Sequence, residues 1–212
     1  MNTVRFTAAL VVVLGLFAGG CATNSKNSVG ADSALVSPAT DVTLDEYLKD
    51  QGVKVEPQTQ QTLKVVRIGV QQPVGWLVNM NFQIPNTYLV ITNTGAIDDG
   101  FAPNAVVIIH KLIGKLDARE VIRRGYVDTQ RFKNFKQTSA SMADYKGRPS
   151  AVIEGTFENE SGQSLQVLNR YVMVSVEEQN FVVLLSVTTT AAQAGALESD
   201  VRTLDGGLNI TT

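Results

Sequence analysis

Cysteine, histidine and tryptophan each occur once in 212 residues, and aromatic side chains make up 7% of the chain. One thiol cannot form an intrachain disulfide, so any folded body must be held by its core alone. The lone histidine, His110, stands inside an apolar stretch. A Ser-His-Asp or Cys-His device would have to run through it, and a zinc site would need several more nitrogen or sulfur ligands nearby. A packed structural histidine is the better reading. Phosphate loops are missing too: there is no GxxxxGK[ST] and no GxGxxG after a strand. Gly162-Gln163-Ser164 lacks the second glycine of a nucleophile elbow. Asp98-Asp99-Gly100 lacks the alternating acids and distal Glu of a calcium loop and reads as a polar turn. Neither sign of charge dominates, with 18 basic residues against 20 acidic ones. That balance argues against a nucleic-acid partner and against a general polybasic membrane patch. The expectation is therefore a protein that is not an enzyme, with no cofactor and no catalytic or metal-binding residues.

What is present begins at the N-terminus, MNTVRFTAALVVVLGLFAGGC. Arg5 precedes an uncharged stretch from Phe6 to Ala18, too short for a stable bilayer span, which needs roughly 20 apolar residues. A positive start, a short greasy run and small residues before a cut are the marks of a secretory signal. The ending Ala18-Gly19-Gly20-Cys21 resembles the bacterial lipobox, with Ala18 where that motif usually has Leu. This reading places signal cleavage after Gly20 and a diacylglycerol on Cys21, and it uses the only thiol in the chain. A plain secretory signal and an uncleaved anchor are the alternatives. Two acyl chains would suffice for stable anchoring. Without Arg5, 17 basic residues face 20 acidic ones. Residues 22–42 are rich in Ala, Ser, Thr, Asn and Asp and have no aromatic residue or period, which reads as a tether. Three segments follow: 1–20 a lipoprotein signal peptide, 21–42 lipidated Cys and tether, and 43–212 one domain.

Within that domain, Thr43-Leu44-Asp45-Glu46 is a capping box that opens a short helix ending near 50–52. Strands are expected at 62–70, 88–93 and 105–113, with a turn at Pro73-Val74-Gly75-Trp76 and a loop over 94–104. Asp117-Ala118-Arg119-Glu120 opens a second helix, reaching about Asn134. Four strands follow, at 138–145, 150–158, 164–176 and 181–189, and a last helix over about 191–204 stops at Gly206-Gly207.

The stretches AVVII, YVMVSV and FVVLLSV are apolar at both odd and even positions. An antiparallel sheet with one wet face would alternate, so both faces of this one must be covered. The expected fold is α+β: a three-layer α/β/α sandwich around a largely antiparallel sheet. The helix at 117–134 would lie on one side, and those at 43–50 and 191–204 on the other.

Two features point toward binding. Arg119, Arg123, Arg124 and Arg131 fall on one face of the central helix, opposite Ala118, Val121, Ile122, Gly125, Thr129 and Phe132. They read as a solvated face or as a dock for an acidic partner or anionic headgroup. Trp76, Met80, Phe82, Ile84, Tyr88 and Phe101 gather in the turn-rich region 73–104. They read as core, or as the lining of an apolar cleft near a sheet edge.

Five stretches carry a resemblance in order and spacing: TLDEYLKDQGVKVEP (43–57), PVGW (73–76), AVVIIHKLIGKLDAREVI (105–122), FKNFKQTSASMADYKGRPSAVIEGTF (132–157) and YVMVSVEEQNFVVLLSVTT (171–189). Through them the chain is similar to the LpqN/LpqT-type lipoproteins of actinobacteria. The resemblance implies a Mog1/PsbP-like fold and a non-enzymatic protein anchored in the cell envelope, with no agreed active site to carry over. The expectation is a binding module tethered by palmitate-type lipid to the cell membrane on its extracytoplasmic side. Its partner would be an envelope protein or an envelope lipid. A carrier holding a lipid acyl chain in an apolar cleft is the alternative.

Overall fold

The computed structural model describes residues 42–80 and 84–212. The signal, cleavage and lipidation readings at Gly20 and Cys21, the tether up to residue 41, and Phe82 lie outside the described residues.

The chain forms α1 (Leu44–Asp50), β1 (Lys54–Gln58), β2 (Arg67–Val70), β3 (Leu77–Val78), β4 (Leu89–Thr92), a 3₁₀ turn at Thr94–Ala96 and β5 (Asn104–Ile113). Then come α2 (Ala118–Gln130), β6 (Lys136–Ser141), β7 (Ser150–Glu158), β8 (Ser164–Val176), β9 (Gln179–Thr190), α3 (Glu198–Gly206) and β10 (Leu208–Thr211). Eight strands make one antiparallel sheet in the order β3-β4-β5-β9-β8-β7-β6, with β1 also paired to β5. Both β1 and β4 use the same side of β5. Lys54–Gln58 pair with Ile113–Ile109, and Leu89–Thr92 pair with Val107–Asn104.

The two-sided strands behave as their apolar runs require. In β5, Ala105, Val107 and Ile109 join one buried cluster while Val106, Ile108 and Leu112 join another across the sheet. The second face is covered by α1 and α2, which contribute Leu44, Leu48, Val121, Ile122 and Tyr126. The first face is covered by α3 together with a separate two-stranded ribbon, β2 paired with β10, through Ile68, Leu204, Leu208 and Ile210.

This corrects one placement: α1 lies beside α2, not with α3. Asp128 near the end of α2 accepts a hydrogen bond from the Leu44 backbone N–H at 3.1 Å, and the opposite face is already occupied by the ribbon. Boundaries also shift, and the strand expected at 138–145 is β6 at Lys136–Ser141. The strand expected at 62–70 shrinks to β2, and the last helix starts at Glu198, not 191. The central helix ends at Gln130, with Asn134 at φ 54° beyond it. Unforeseen strands are β1, β3 and β10. β1 carries Pro57, which a sheet tolerates at an edge.

Candidate contact surface

The arginine face comes first, because α2 places it. Asp117 caps the helix by accepting from the N–H groups of Arg119 and Glu120. Glycine is needed at position 125, where a Cβ would lie 2.5 Å from the Tyr171 ring. The buried stripe of Val121, Ile122, Gly125, Tyr126 and Thr129 leaves Arg119 and Arg131 exposed, while Arg123 and Arg124 are largely covered.

They do not stand together as a basic patch. Arg119 pairs with Asp144 at 2.7 Å and Arg131 sits 3.9 Å from Glu46. Glu120 takes both Arg123, at 3.0 Å, and Arg124, at 3.3 Å. The bond from Arg123 holds the Glu120 carboxyl below its usual range. Arg124 is 14% exposed. It lies 5.6 Å over the Tyr47 ring of α1 and donates to the Val42 carbonyl at 3.3 Å. It is a joint between helices. Asp128 completes that joint, and burial pushes its carboxyl up to about 7.

Other polar groups are interior. His110 is buried on β5, and burial pushes its imidazole down to about 4, so it is neutral at pH 7. Thr129, Asn169 and Tyr171 form a buried network, with Asn169 donating to Thr129 at 2.9 Å and Thr129 lying 3.1 Å from the Tyr171 hydroxyl. On the opposite face Arg170 grips Asp205, and Arg202 holds Glu154 through two bonds of 2.6 and 2.8 Å. These pairs fasten α3 to the sheet. Asp98 accepts from Thr190 at 2.7 Å in the polar turn.

The apolar residues of 73–104 divide. Trp76, Ile84 and Phe101 are buried in three different clusters, while Tyr88 packs on the rim of the first. They do not line one cleft. Trp76 turns inward and donates its indole N–H to Asp200 at 2.8 Å. Its neighbours turn outward: Val74 is 99% exposed, Leu77 67% and Met80 78%, with Val78 also exposed. They surround the short edge strand β3, whose two residues pair only with Thr92 and Ile91 of β4.

Of this exposed aliphatic edge only Met80 was singled out from the sequence, although a signal for the rest exists. No Asp, Glu, Lys or Arg occurs between Arg67 and Asp98, in a chain that is 18% charged. The same holds from Phe181 to Leu197. The fold brings these two runs together, because Gln193 donates its amide to the Ala96 carbonyl at 2.7 Å. The result is an uncharged corner bearing four exposed aliphatic side chains.

The architecture defines an α/β/α-sandwich body in which ion pairs Arg170–Asp205 and Arg202–Glu154 join α3 to the sheet. The family model described as probable lipoprotein LpqN matches residues 40–211, and the chain belongs to that lipoprotein family. Putative lipoprotein LpqT of Mycobacterium leprae is 31% identical over 209 residues, covering 95% of this chain and 93% of its own. The proline-rich 28 kDa antigen of Mycobacterium tuberculosis is 34% identical over 159 residues, 75% of this chain. Here the chain spans about half the relative's length, 51%. Among solved structures, LpqN of Mycobacterium tuberculosis, described as involved in cell envelope biogenesis, superposes with a TM-score of 0.73. It is 19% identical and covers 82% of this chain and 100% of its own. Yeast Mog1p and cyanobacterial PsbP superpose at TM-scores of 0.42 and 0.41.

Proposed function

We propose that this chain is a lipid-anchored, non-enzymatic binding module on the extracytoplasmic side of the membrane, acting on an envelope partner through the uncharged β3 corner. Acylation of Cys21 supplies the anchor, and the tether sets the body within reach of its partner. The observation that carries the reading is the exposed set Val74, Leu77, Val78 and Met80 in a run, 68–97, with no charged residue. A soluble protein ordinarily breaks up such a patch unless something covers it. The burial of His110 and Tyr171 supports a non-catalytic role, since neither reaches solvent where a substrate could meet it.

The test compares the acylated wild-type chain with Leu77→Asp plus Met80→Asp, each purified from its host. Both stay membrane-anchored, and the variant loses the co-purifying partner. An unchanged set of co-purifying components would overturn the reading. A lipid held in stoichiometric amount by both proteins in native mass spectrometry would favour the carrier alternative.

A further inference from the structure

We infer that the β3 corner is a membrane-contact surface, with Val74, Leu77 and Met80 seated in the interfacial layer of the bilayer that holds the anchor. The inference rests on the proposed binding role of this corner and names its partner as a lipid surface.

Three observations converge on it. The first is chemical. The exposed residues are aliphatic, and the corner's aromatic, Trp76, is withdrawn into the core at 1% exposure. Protein interfaces concentrate their energy in exposed Tyr, Trp and Arg anchors, and the corner has none among its described residues. Aliphatic tips without charge enter the headgroup region at little electrostatic cost.

The second is the breadth of the uncharged zone. Residues 71–80, 94–97 and 191–197 contribute to it from separate parts of the chain. Of the carboxylates at its margin, Asp98 accepts from Thr190, Asp99 from Gln163 and Asp200 from Trp76, while Glu198 is exposed and lies 4.0 Å from Arg202.

The third is where the chain enters. Lys133, just past α2, accepts from the Glu158 N–H at 2.9 Å, so the end of α2 lies at the end of β7. Register carries that level across the sheet. Glu158 pairs with Ser164, Leu165 with Thr190, Thr188 with Asn104, Asn104 with Thr92, and Thr92 with Leu77. α1 begins beside Asp128, in the last turn of α2. The tether therefore joins the body toward the same end of the sheet that carries the aliphatic corner. Tethering the body to the bilayer raises the effective concentration of a weak site on it.

Trp76, the only tryptophan, is buried at 1% exposure, so the reporter is a second tryptophan placed in the exposed set, Val74→Trp. The experiment places the acylated full chain carrying Val74→Trp in phosphatidylcholine vesicles whose acyl chains are brominated or plain, and reads tryptophan emission and deuterium uptake at residues 74–80. The inference predicts roughly twofold quenching by the brominated lipid and slowed exchange at 74–80, both insensitive to added salt or phosphatidylglycerol. Leu77→Asp plus Met80→Asp abolishes both while the acyl anchor keeps the protein on the vesicles. Equal emission in the two lipids together with unslowed exchange overturns the inference. If the same corner then still captures an envelope protein, the binding role survives and the lipid surface does not.

Discussion

Gly125 of α2 is a residue whose whole role is to be small. An added methyl would land 2.5 Å from the Tyr171 ring. That ring is buried and tied to Thr129, so it cannot step aside. Gly125→Ala gains about 1 kcal/mol of helix propensity but overpacks a closed site, which costs about 1–3 kcal/mol or more. A net destabilisation in urea unfolding is expected. Asp128 gives a pH signature. Its folded value near 7 lies above its ordinary value of 3.8 because burial disfavours the charged form. The folded state thus binds the proton more tightly, so this group's stabilisation is complete below about pH 4 and is lost as pH rises through 7. Asp128→Asn keeps an acceptor for Leu44 and removes the titration. The difference in unfolding free energy between variant and wild type should grow in the variant's favour between pH 5 and pH 8, by about 1–3 kcal/mol. A constant difference would assign Asp128 no buried charge.

At the scale of elements, the α1–α2 joint and the β8–β9 hairpin are the most exposed to test. Glu177 and Glu178 connect that hairpin with φ of 48° and 61°. This left-handed pair is the backbone of a two-residue primed turn, which favours Asn-Gly. Glu177→Asn with Glu178→Gly should raise the unfolding free energy by about 1 kcal/mol. Arg124→Gln loses the contacts to Tyr47 and the Val42 carbonyl, and should speed amide exchange in 44–50 while β5, β8 and β9 stay protected.

The long elements were legible because their causes are local. The capping box at Thr43 and the Asp117 N-cap announce their helices, and the strands apolar at odd and even positions demanded two covering layers. What was not legible depends on distant partners. β10 and β2 exist through pairing of residues far apart in sequence, Leu208 with Val70. α1 chose its face through Asp128, 84 positions away. Arg119 and Arg131 do lie on an outer face, but Arg124 is covered by α1, and Asp144 and Glu46, which meet Arg119 and Arg131, come from other segments. The exposed corner was obscured because its aliphatics resemble core, and only the lack of charge from 68 to 97 distinguishes them.

For the whole molecule, the proposed role is that of an anchored body that works by touch. Cys21→Ser should move the protein from the membrane to the soluble fraction of its host, as cell fractionation would read. Retention at the membrane would point to a second anchor. The central claim is that the β3 corner is where the body meets the envelope. Its most direct measurement is photo-crosslinking in living cells, with benzoylphenylalanine replacing Leu77 in one strain and Met142, a remote exposed residue, in another. The account predicts discrete adducts with an envelope component from position 77 and none of them from position 142. Identical adducts from both positions, or none from position 77, would contradict it.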